Sequence, residues 1–359
     1  MRPDGRPAEV RRLPWGPALC LVPWNAPAPM AAHKVANALA AGCPAILKPS
    51  EFAPYGVRRF AEVVAGTLAG RGVPGGVFQL VNGDGDTGAR LTADPRIRAV
   101  SFTGGTAGGR SVAAACAAGL KPAQLELGGS NPLIVMPDAD PGRAARTAVD
   151  LLTTLNGQWC RALGRLIVPA DARDALLDAI GARLAALRAG PPLDDDTDFG
   201  PLVHSRHRAL VAAHRDALGG RRLSTTEVPD QGNYLAPALV SGADPAAAAE
   251  EIFGPVATVH PYRTVDEAVA LANGTEYGLE GYVTGTDEEA ALAVAWRVRA
   301  GEVKVNGSSV LSLHMSAPRP AWGASGLGEE GTAETLRFFT NPRVAGVENG
   351  FALHSREAP

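Results

Sequence analysis

Between Ala18 and Leu127 short apolar runs alternate with longer stretches of helical period. The runs Ala18–Val22, Ala45–Leu47, Val77–Val81, Ile97–Phe102 and Ala123–Leu127 have strand length and are bounded by Gly, Pro or polar residues. Helical periodicity over Met30–Ala41, Tyr55–Ala69, Thr87–Thr92 and Thr106–Ala118 fills the gaps. Strands that alternate with helices become parallel neighbours joined by crossovers, so the pattern predicts a doubly wound parallel sheet. After Asn131-Pro132 a second α/β region follows. Its strands are Leu133–Met136 and Leu166–Val168, and its helices run from about Asp140 to Leu155, Asp171 to Arg188 and Leu202 to Leu218. Phe338–Val347 is expected to form a C-terminal arm.

Such sheets bind ligands beyond the carboxyl ends of their strands. The residues there are polar or tight: Pro23-Trp24-Asn25, Lys48-Pro49-Ser50-Glu51, Asn82-Gly83-Asp84-Gly85, Thr103-Gly104-Gly105 and Gly128-Gly129. Together they make a nucleotide-type rim. Gly83-Asp84-Gly85-Asp86-Thr87-Gly88 satisfies the G-x-G-x-x-G fingerprint. Two aspartates in that loop would oppose a pyrophosphate, so it receives a minor role. Thr103-Gly104-Gly105-Thr106, opening a helix, suits an anion better. Further along, Cys160 stands in the small polar segment Leu155-Asn156-Gly157-Gln158-Trp159-Cys160, between a helix and a strand. A thiol so placed is open to a substrate, with backbone N–H groups beside it; the plainer reading is a small buried hydrophobe.

Length and composition narrow the choices. A chain of 359 residues exceeds a single core, which favours two domains. A formal net charge of -3 gives no case for nucleic acid or an anionic membrane as partner. No apolar run reaches the length of a membrane span, and Met1–Arg6 lacks the apolar core of a signal peptide. Cys20, Cys43, Cys116 and Cys160 are scattered, which speaks against a zinc site or a disulfide framework and for a reducing cytoplasm. His204, His207 and His214 fall on one helix without a carboxylate or thiol in register, and read as surface residues.

With Cys160, Glu126, Asn25 and Lys48 taken together, the chain resembles the NAD(P)-dependent aldehyde dehydrogenase superfamily. The matching motifs run almost end to end. They include Pro23-Trp24-Asn25-Ala26-Pro27, Lys48-Pro49-Ser50-Glu51, Phe102-Thr103-Gly104-Gly105-Thr106 and Leu125-Glu126-Leu127-Gly128-Gly129. Gly157-Gln158-Trp159-Cys160, Glu251-Ile252-Phe253-Gly254-Pro255 and Ser325-Gly326-Leu327-Gly328 continue the series. The resemblance implies a doubly wound parallel-sheet cofactor domain over residues 1–128, shortened at its N-terminal side. A second α/β catalytic domain over 129–338 and an arm or tail over 339–359 would follow.

It also implies roles. Cys160 would attack an aldehyde as a thiolate with a lowered pKa. The Asn25 amide and the Cys160 N–H would hold the oxyanion. Glu126, its pKa raised, would activate water against the thioester. NAD would be contacted by Trp24, Lys48, Ser50, Glu51, Gly83, Phe102, Thr103, Gly104, Gly105, Thr106, Leu127, Glu251 and Phe253. Glu51 would repel a 2'-phosphate and so disfavour NADP. A small-molecule aldehyde is the expected partner, and a homodimer or homotetramer the expected assembly. Several positions depart from the family pattern: Gly105 for Ser, Ser130 for Lys, Leu155 for Asn, and Arg161 for a small or apolar residue. Arg161 needs a counter-charge, either a protein carboxylate or an anionic substrate. A non-redox thiol acyl-transferase or esterase, or a weakened paralogue, is the alternative function.

Overall fold

The computed structural model describes residues 7–348 apart from Met315; the Met1–Arg6 start and the last part of the expected tail lie outside the described residues. An outlying strand, β1 (Ala8–Pro14), leads into the first sheet. That sheet is built from β2 (Ala18–Val22), β3 (Ala45–Pro49), β4 (Phe78–Leu80), β5 (Ala99–Thr103) and β6 (Ala123–Glu126). Helices α1 (Pro27–Ala40), α2 (Pro54–Gly70), α3 (Gly85–Ala93) and α4 (Thr106–Ala118) make the crossovers. The spatial order is β6-β5-β2-β3-β4, all parallel.

The strand β2 shows why this sheet lies between two helical layers. All five of its residues are buried. Ala18, Cys20 and Val22 join the apolar layer with Val35 of α1 and Val57 of α2, while Leu19 and Leu21 join Val112 and Cys116 of α4. Alternate residues of a strand face opposite sides, so a continuous apolar run requires cover on both. Both α1 and α2 begin on proline, whose missing N–H costs nothing in a first turn.

The second sheet contains β7 (Asn131–Val135), β8 (Leu163–Pro169), β9 (Arg221–Leu223), β10 (Ala238–Ser241) and β11 (Val256–Tyr262). A two-residue strand β12 (Tyr277–Gly278) precedes β13 (Glu280–Thr284) and β14 (Glu302–Val305). The order is β14-β13-β7-β8-β11-β10-β9, with only the β9–β10 pair antiparallel. Its helices are α5 (Pro141–Thr153), α6 (Arg173–Ala185), α7 (Ser205–Ala217), α8 (Pro245–Ala249), α9 (Val265–Ala272) and α10 (Glu288–Ala295). The α/β class and the doubly wound sheet read from the sequence are those of the structure. Among the described residues no helix is long and apolar enough to cross a membrane.

Beyond β14 the chain returns to the first sheet. Gly326–Leu327 pairs antiparallel with β6, and α11 (Thr332–Phe338) leads to Phe339, fully buried among the β2 and α1 side chains. Thr340–Gly346 then pairs antiparallel with β1. The sequence showed the arm but not its partner, because β1 is exposed along almost its whole length and carries no apolar alternation.

One buried ion pair fixes this return. Lys34 of α1 is wholly buried, and its Nζ lies 2.9 Å from Glu330 Oε1 and 2.8 Å from Ser101 Oγ. The buried Lys34 cation is what holds the Glu330 carboxyl below the usual carboxylate range against its burial. A group depressed in this way adds stability at neutral pH that is lost as the pH falls through its folded-state value. Lys34→Met should therefore cost about 3 kcal/mol, since it strands a buried carboxylate. Urea unfolding at neutral pH measures this, and the deficit should shrink at acid pH, where Glu330 is protonated in both states.

Candidate active site

Cys160 is presented by a turn that few sequences can make. Helix α5 stops at Thr153, and Leu155, Asn156 and Gly157 all take positive φ, at 51°, 57° and 71°. Asn tolerates this region and Gly is unconstrained in it, but Leu bears strain. Asn156 clamps the turn: its Oδ1 accepts from Gly200 N at 2.8 Å and its Nδ2 donates to Pro201 O at 3.2 Å. A Cβ on Gly157 would collide with the Gly254–Pro255 backbone. Gln158 accepts from Val203 N at 2.8 Å. On the far side of the thiol, Asn131 Nδ2 donates to the carbonyls of Cys160 (2.9 Å) and Ala162 (2.8 Å). The sequence marked Asn131 only as a boundary, and nothing in its local pattern signalled that role.

Cys160 opens into a cavity of about 230 Å³ that it shares with Trp24, Asn25, Thr103, Gly104, Gly105, Leu127, His207, Glu251 and Phe253. A second cavity of about 490 Å³ shares Trp24 and Thr103–Gly105 with it and extends along Lys48, Ser50, Glu51 and Phe102. The fold thus gathers most of the residues singled out from the sequence around one continuous cleft. Gly83 does not line it: Asp84 beside it caps α3, accepting from Thr87 N at 3.1 Å, so that helix terminus is already filled by a protein carboxylate. Thr106 lines a neighbouring cavity with Arg110 and Leu125. Glu126 lines neither cavity, although its neighbours Leu127 and Gly128 line the smaller one. His207 corrects the surface reading of the histidines. It is half-buried, its Nε2 is 2.7 Å from Phe253 O, and its ring meets Trp24 edge-on at 5.3 Å. Tertiary packing of α7 against the cleft brings it there.

The cleft fits a dinucleotide on three observations. The N-terminus of α4 at Gly105 has no side-chain cap, leaving its N–H groups for an anion. The buried Thr103 Oγ1 at the join of the two cavities has no hydrogen-bond partner. The buried Lys48 ammonium faces the larger cavity, 4.0 Å from the half-exposed Glu51 carboxylate. Burial shifts the Lys48 pKa down, and Glu51 and Asp84 oppose that shift.

Burial also governs the acids. Glu126 is pushed well above the carboxylate range by desolvation and by the Glu330 charge, and its Oε1 has no partner. Glu251 is raised by burial to about 7, although it accepts from Gly129 N at 3.0 Å. The thiol departs from expectation. The Cys160 pKa is pushed up to about 12, first by burial and then by Glu126, Glu251 and Glu280, with Arg161 opposing. The lowered thiol pKa implied by the resemblance is therefore absent in this state, because burial, with the nearby carboxyl groups adding to it, outweighs the Arg161 guanidinium. Arg161 has protein counter-charges: its Nη1 is 3.2 Å from Glu280 and 4.0 Å from Glu302. Asn25 Nδ2 donates to Gln158 O at 3.0 Å, which fixes the amide beside the thiol and leaves its second N–H.

Comparison with known proteins agrees with this geometry. The profile of the "Aldehyde dehydrogenase family" matches residues 1–345. Geranial dehydrogenase of Castellaniella defragrans is 37% identical over 344 residues, spanning 93% of this chain and 70% of that protein. The crystal structure of an NAD-dependent aldehyde dehydrogenase from Sinorhizobium meliloti superposes with a TM-score of 0.90 at 34% identity, covering 100% of this chain and 70% of the other. A Cys-to-Ala variant of aldehyde dehydrogenase C from Pseudomonas syringae, solved with NAD+ and octanal, gives 0.88 at 35% identity, over 94% of this chain and 70% of the other. The family profile covers nearly the whole chain, and sequence identity and overall fold agree with it: the chain belongs to the aldehyde dehydrogenase family.

Proposed function

We propose that the protein oxidises an aldehyde to a carboxylic acid with NAD, through a thiohemiacetal and then a thioester on Cys160. The observation that carries this reading is the single cavity in which Cys160, Asn25, Glu251 and Phe253 meet at the end of the dinucleotide-shaped cleft. Cys160 gives up its proton to solvent water through the cavity, and its sulfur attacks the carbonyl carbon. The Asn25 amide and the Cys160 N–H would take the charge that develops on the carbonyl oxygen. NAD, when bound, supplies the acceptor for the hydride that leaves the thiohemiacetal. Glu251 and Phe253 would hold the nicotinamide end, Thr103–Gly105 and the α4 terminus the pyrophosphate, and Lys48, Ser50 and Glu51 the adenosine side. Glu126 then takes a proton from the water that attacks the thioester.

The exposed two-stranded sheet of β1 and Thr340–Gly346 offers a surface for self-association, with Val10 and Val344 outward, and a dimer or tetramer in the cytoplasm is the assembly this reading favours. Light scattering at micromolar protein should give at least twice the chain mass.

Cys160→Ala should abolish NADH formation from aldehyde. Glu126→Gln should keep a first burst of NADH and slow turnover, because only the water step needs the base. Glu126 works when ionised and its pKa is raised, so turnover should climb with pH above the carboxylate range in the parent and lose that limb in the variant. Stopped-flow absorbance across pH reads both, and a Glu126→Gln protein with neither burst nor turnover would assign the residue to the thiol instead. Glu51→Ser should narrow the preference for NAD over NADP by about tenfold, the effect of roughly 1.4 kcal/mol, in a comparison of kcat/KM.

A further inference from the structure

Strands β13 and β14 lie in parallel register, with Glu280 opposite Glu302 and Tyr282 opposite Lys304. Side chains two apart on a strand share a face, so all four project to the same side of the sheet. Into that face comes Arg161, the residue after Cys160. Its Nη1 lies 3.2 Å from Glu280 and 4.0 Å from Glu302, while Lys304 Nζ lies 2.9 Å from Glu280 and 3.6 Å from Glu302. The exposures are low: 11% for the Arg161 side chain, 0% for Glu280, 9% for Glu302 and 4% for Lys304. Two cations and two anions therefore neutralise one another in a nearly dry pocket.

The cluster is tied to its surroundings on every side. Tyr282 donates its hydroxyl to the Arg161 carbonyl at 2.9 Å and its ring lies 6.0 Å from Lys304 Nζ. The Glu280 N–H donates to Asn131 Oδ1 at 3.2 Å, and Asn131 in turn holds the Cys160 carbonyl. Lys304 Nζ donates to Ser309 O and Glu302 Oε1 accepts from Leu313 N, both at 2.9 Å. Apolar residues of similar volume would often pack as stably as such a cluster. What apolar residues cannot do is set the potential at the neighbouring thiol.

Burial is the largest influence on the Cys160 thiol, and the charges that add to it or oppose it come from three directions. Arg161 and Glu280 act from this cluster, Glu126 from β6, and Glu251 from the segment before β11, where His207 of α7 also lines the cavity. Of these charges Arg161 alone favours the thiolate, and Glu280 both holds its guanidinium and adds a negative charge of its own. We propose that Glu280 is a positioning residue that restrains the nucleophile: by neutralising Arg161 inside the cluster with Lys304 and Glu302, it adds to the burial that keeps Cys160 in the unreactive thiol form. A corollary concerns the substrate. Both cations are engaged by protein carboxylates, so this face offers no free charge to an anionic aldehyde, and the enzyme should act on uncharged ones. The proposal rests on Cys160 being the nucleophile, but its test needs no turnover.

The test is alkylation of the intact protein by iodoacetamide, in which the sulfur displaces iodide and forms an S–C bond, followed at each cysteine by mass spectrometry. Cys20, Cys43 and Cys116 are buried and serve as internal controls for unfolding. Glu280→Gln should speed alkylation of Cys160 by about tenfold or more at pH 8, equivalent to a fall of one unit or more in the thiol pKa, while Glu280→Asp stays within about twofold of the parent and Arg161→Met is slower. Should Glu280→Gln fold poorly, the double variant Glu280→Gln/Lys304→Met removes one buried charge of each sign and should show the same acceleration. Parental or slower rates in both, or acceleration shared by all four cysteines, would overturn the proposal. Rapid, Glu280-dependent alkylation in a protein that forms no NADH would leave it standing and remove the dehydrogenase reading instead.

Discussion

The side chain of Asn131 spends its amide on three backbone groups, and the site is built on that expenditure. Its Nδ2 donates to the carbonyls of Cys160 and Ala162, and its Oδ1 accepts from the N–H of Glu280. One residue thereby joins β7, the Cys160 segment and β13. It stands where the β7–β8 register slips between Asn131 and Pro132, and Pro132 has no N–H to continue the ladder. The slip frees the chain after Cys160 to bend, and the amide replaces the hydrogen bonds that the bend forgoes. On the other side Asn156 clamps the left-handed turn. Without these two amides the strained backbone at Leu155 would have a simple way to relax, and the thiol would have no fixed position.

Burial sets the chemistry as much as position does. Glu126, Glu251 and Cys160 are all shifted toward their neutral forms, and in each case desolvation is the largest cause. An acid kept neutral near pH 7 is close to the condition in which it can exchange protons usefully. For the thiol the same burial suppresses reactivity, and any group that fills the cleft changes the field in which the thiol ionises. The neutralised cluster around Arg161 belongs to that balance. It also explains how a guanidinium can follow directly upon the Cys160 thiol: the carboxylates of Glu280 and Glu302 are placed for it by strand register and owe nothing to the substrate.

The wholly buried Lys34 and the almost fully buried Glu330 bind the returning chain to α1, while Gln124 of β6 donates to Glu329 O at 2.7 Å and to Thr335 Oγ1 at 3.2 Å. The first sheet is therefore completed by residues from near the far end of the chain. The carboxyl group of Glu126, on the same strand, feels Glu330 and Lys34 directly. The closing of the fold and the protonation of Glu126, the proposed base, are thus electrostatically linked.

What the amino-acid order determined by itself was local and periodic. Uninterrupted apolar runs such as Ala18–Val22 had to be strands covered on both faces, and Thr106–Ala118 a helix. The polar strand ends had to share one rim, because parallel strands all end on the same side. The motifs around Asn25, Lys48, Glu126, Cys160 and Glu251 marked the chemistry for the same reason, since their residue types and order are specific. The tertiary structure decided everything that depends on two distant segments meeting. It brought His207 from an ordinary amphipathic helix to the wall of the cleft and gave Asn131 its three backbone partners. It paired Arg161 with Glu280 across more than a hundred residues, and it raised the Cys160 pKa where the motif implied a lowered one. Periodicity reports which face of an element is buried; it carries no information on which charges are buried together, and the fields within this site are set by those encounters.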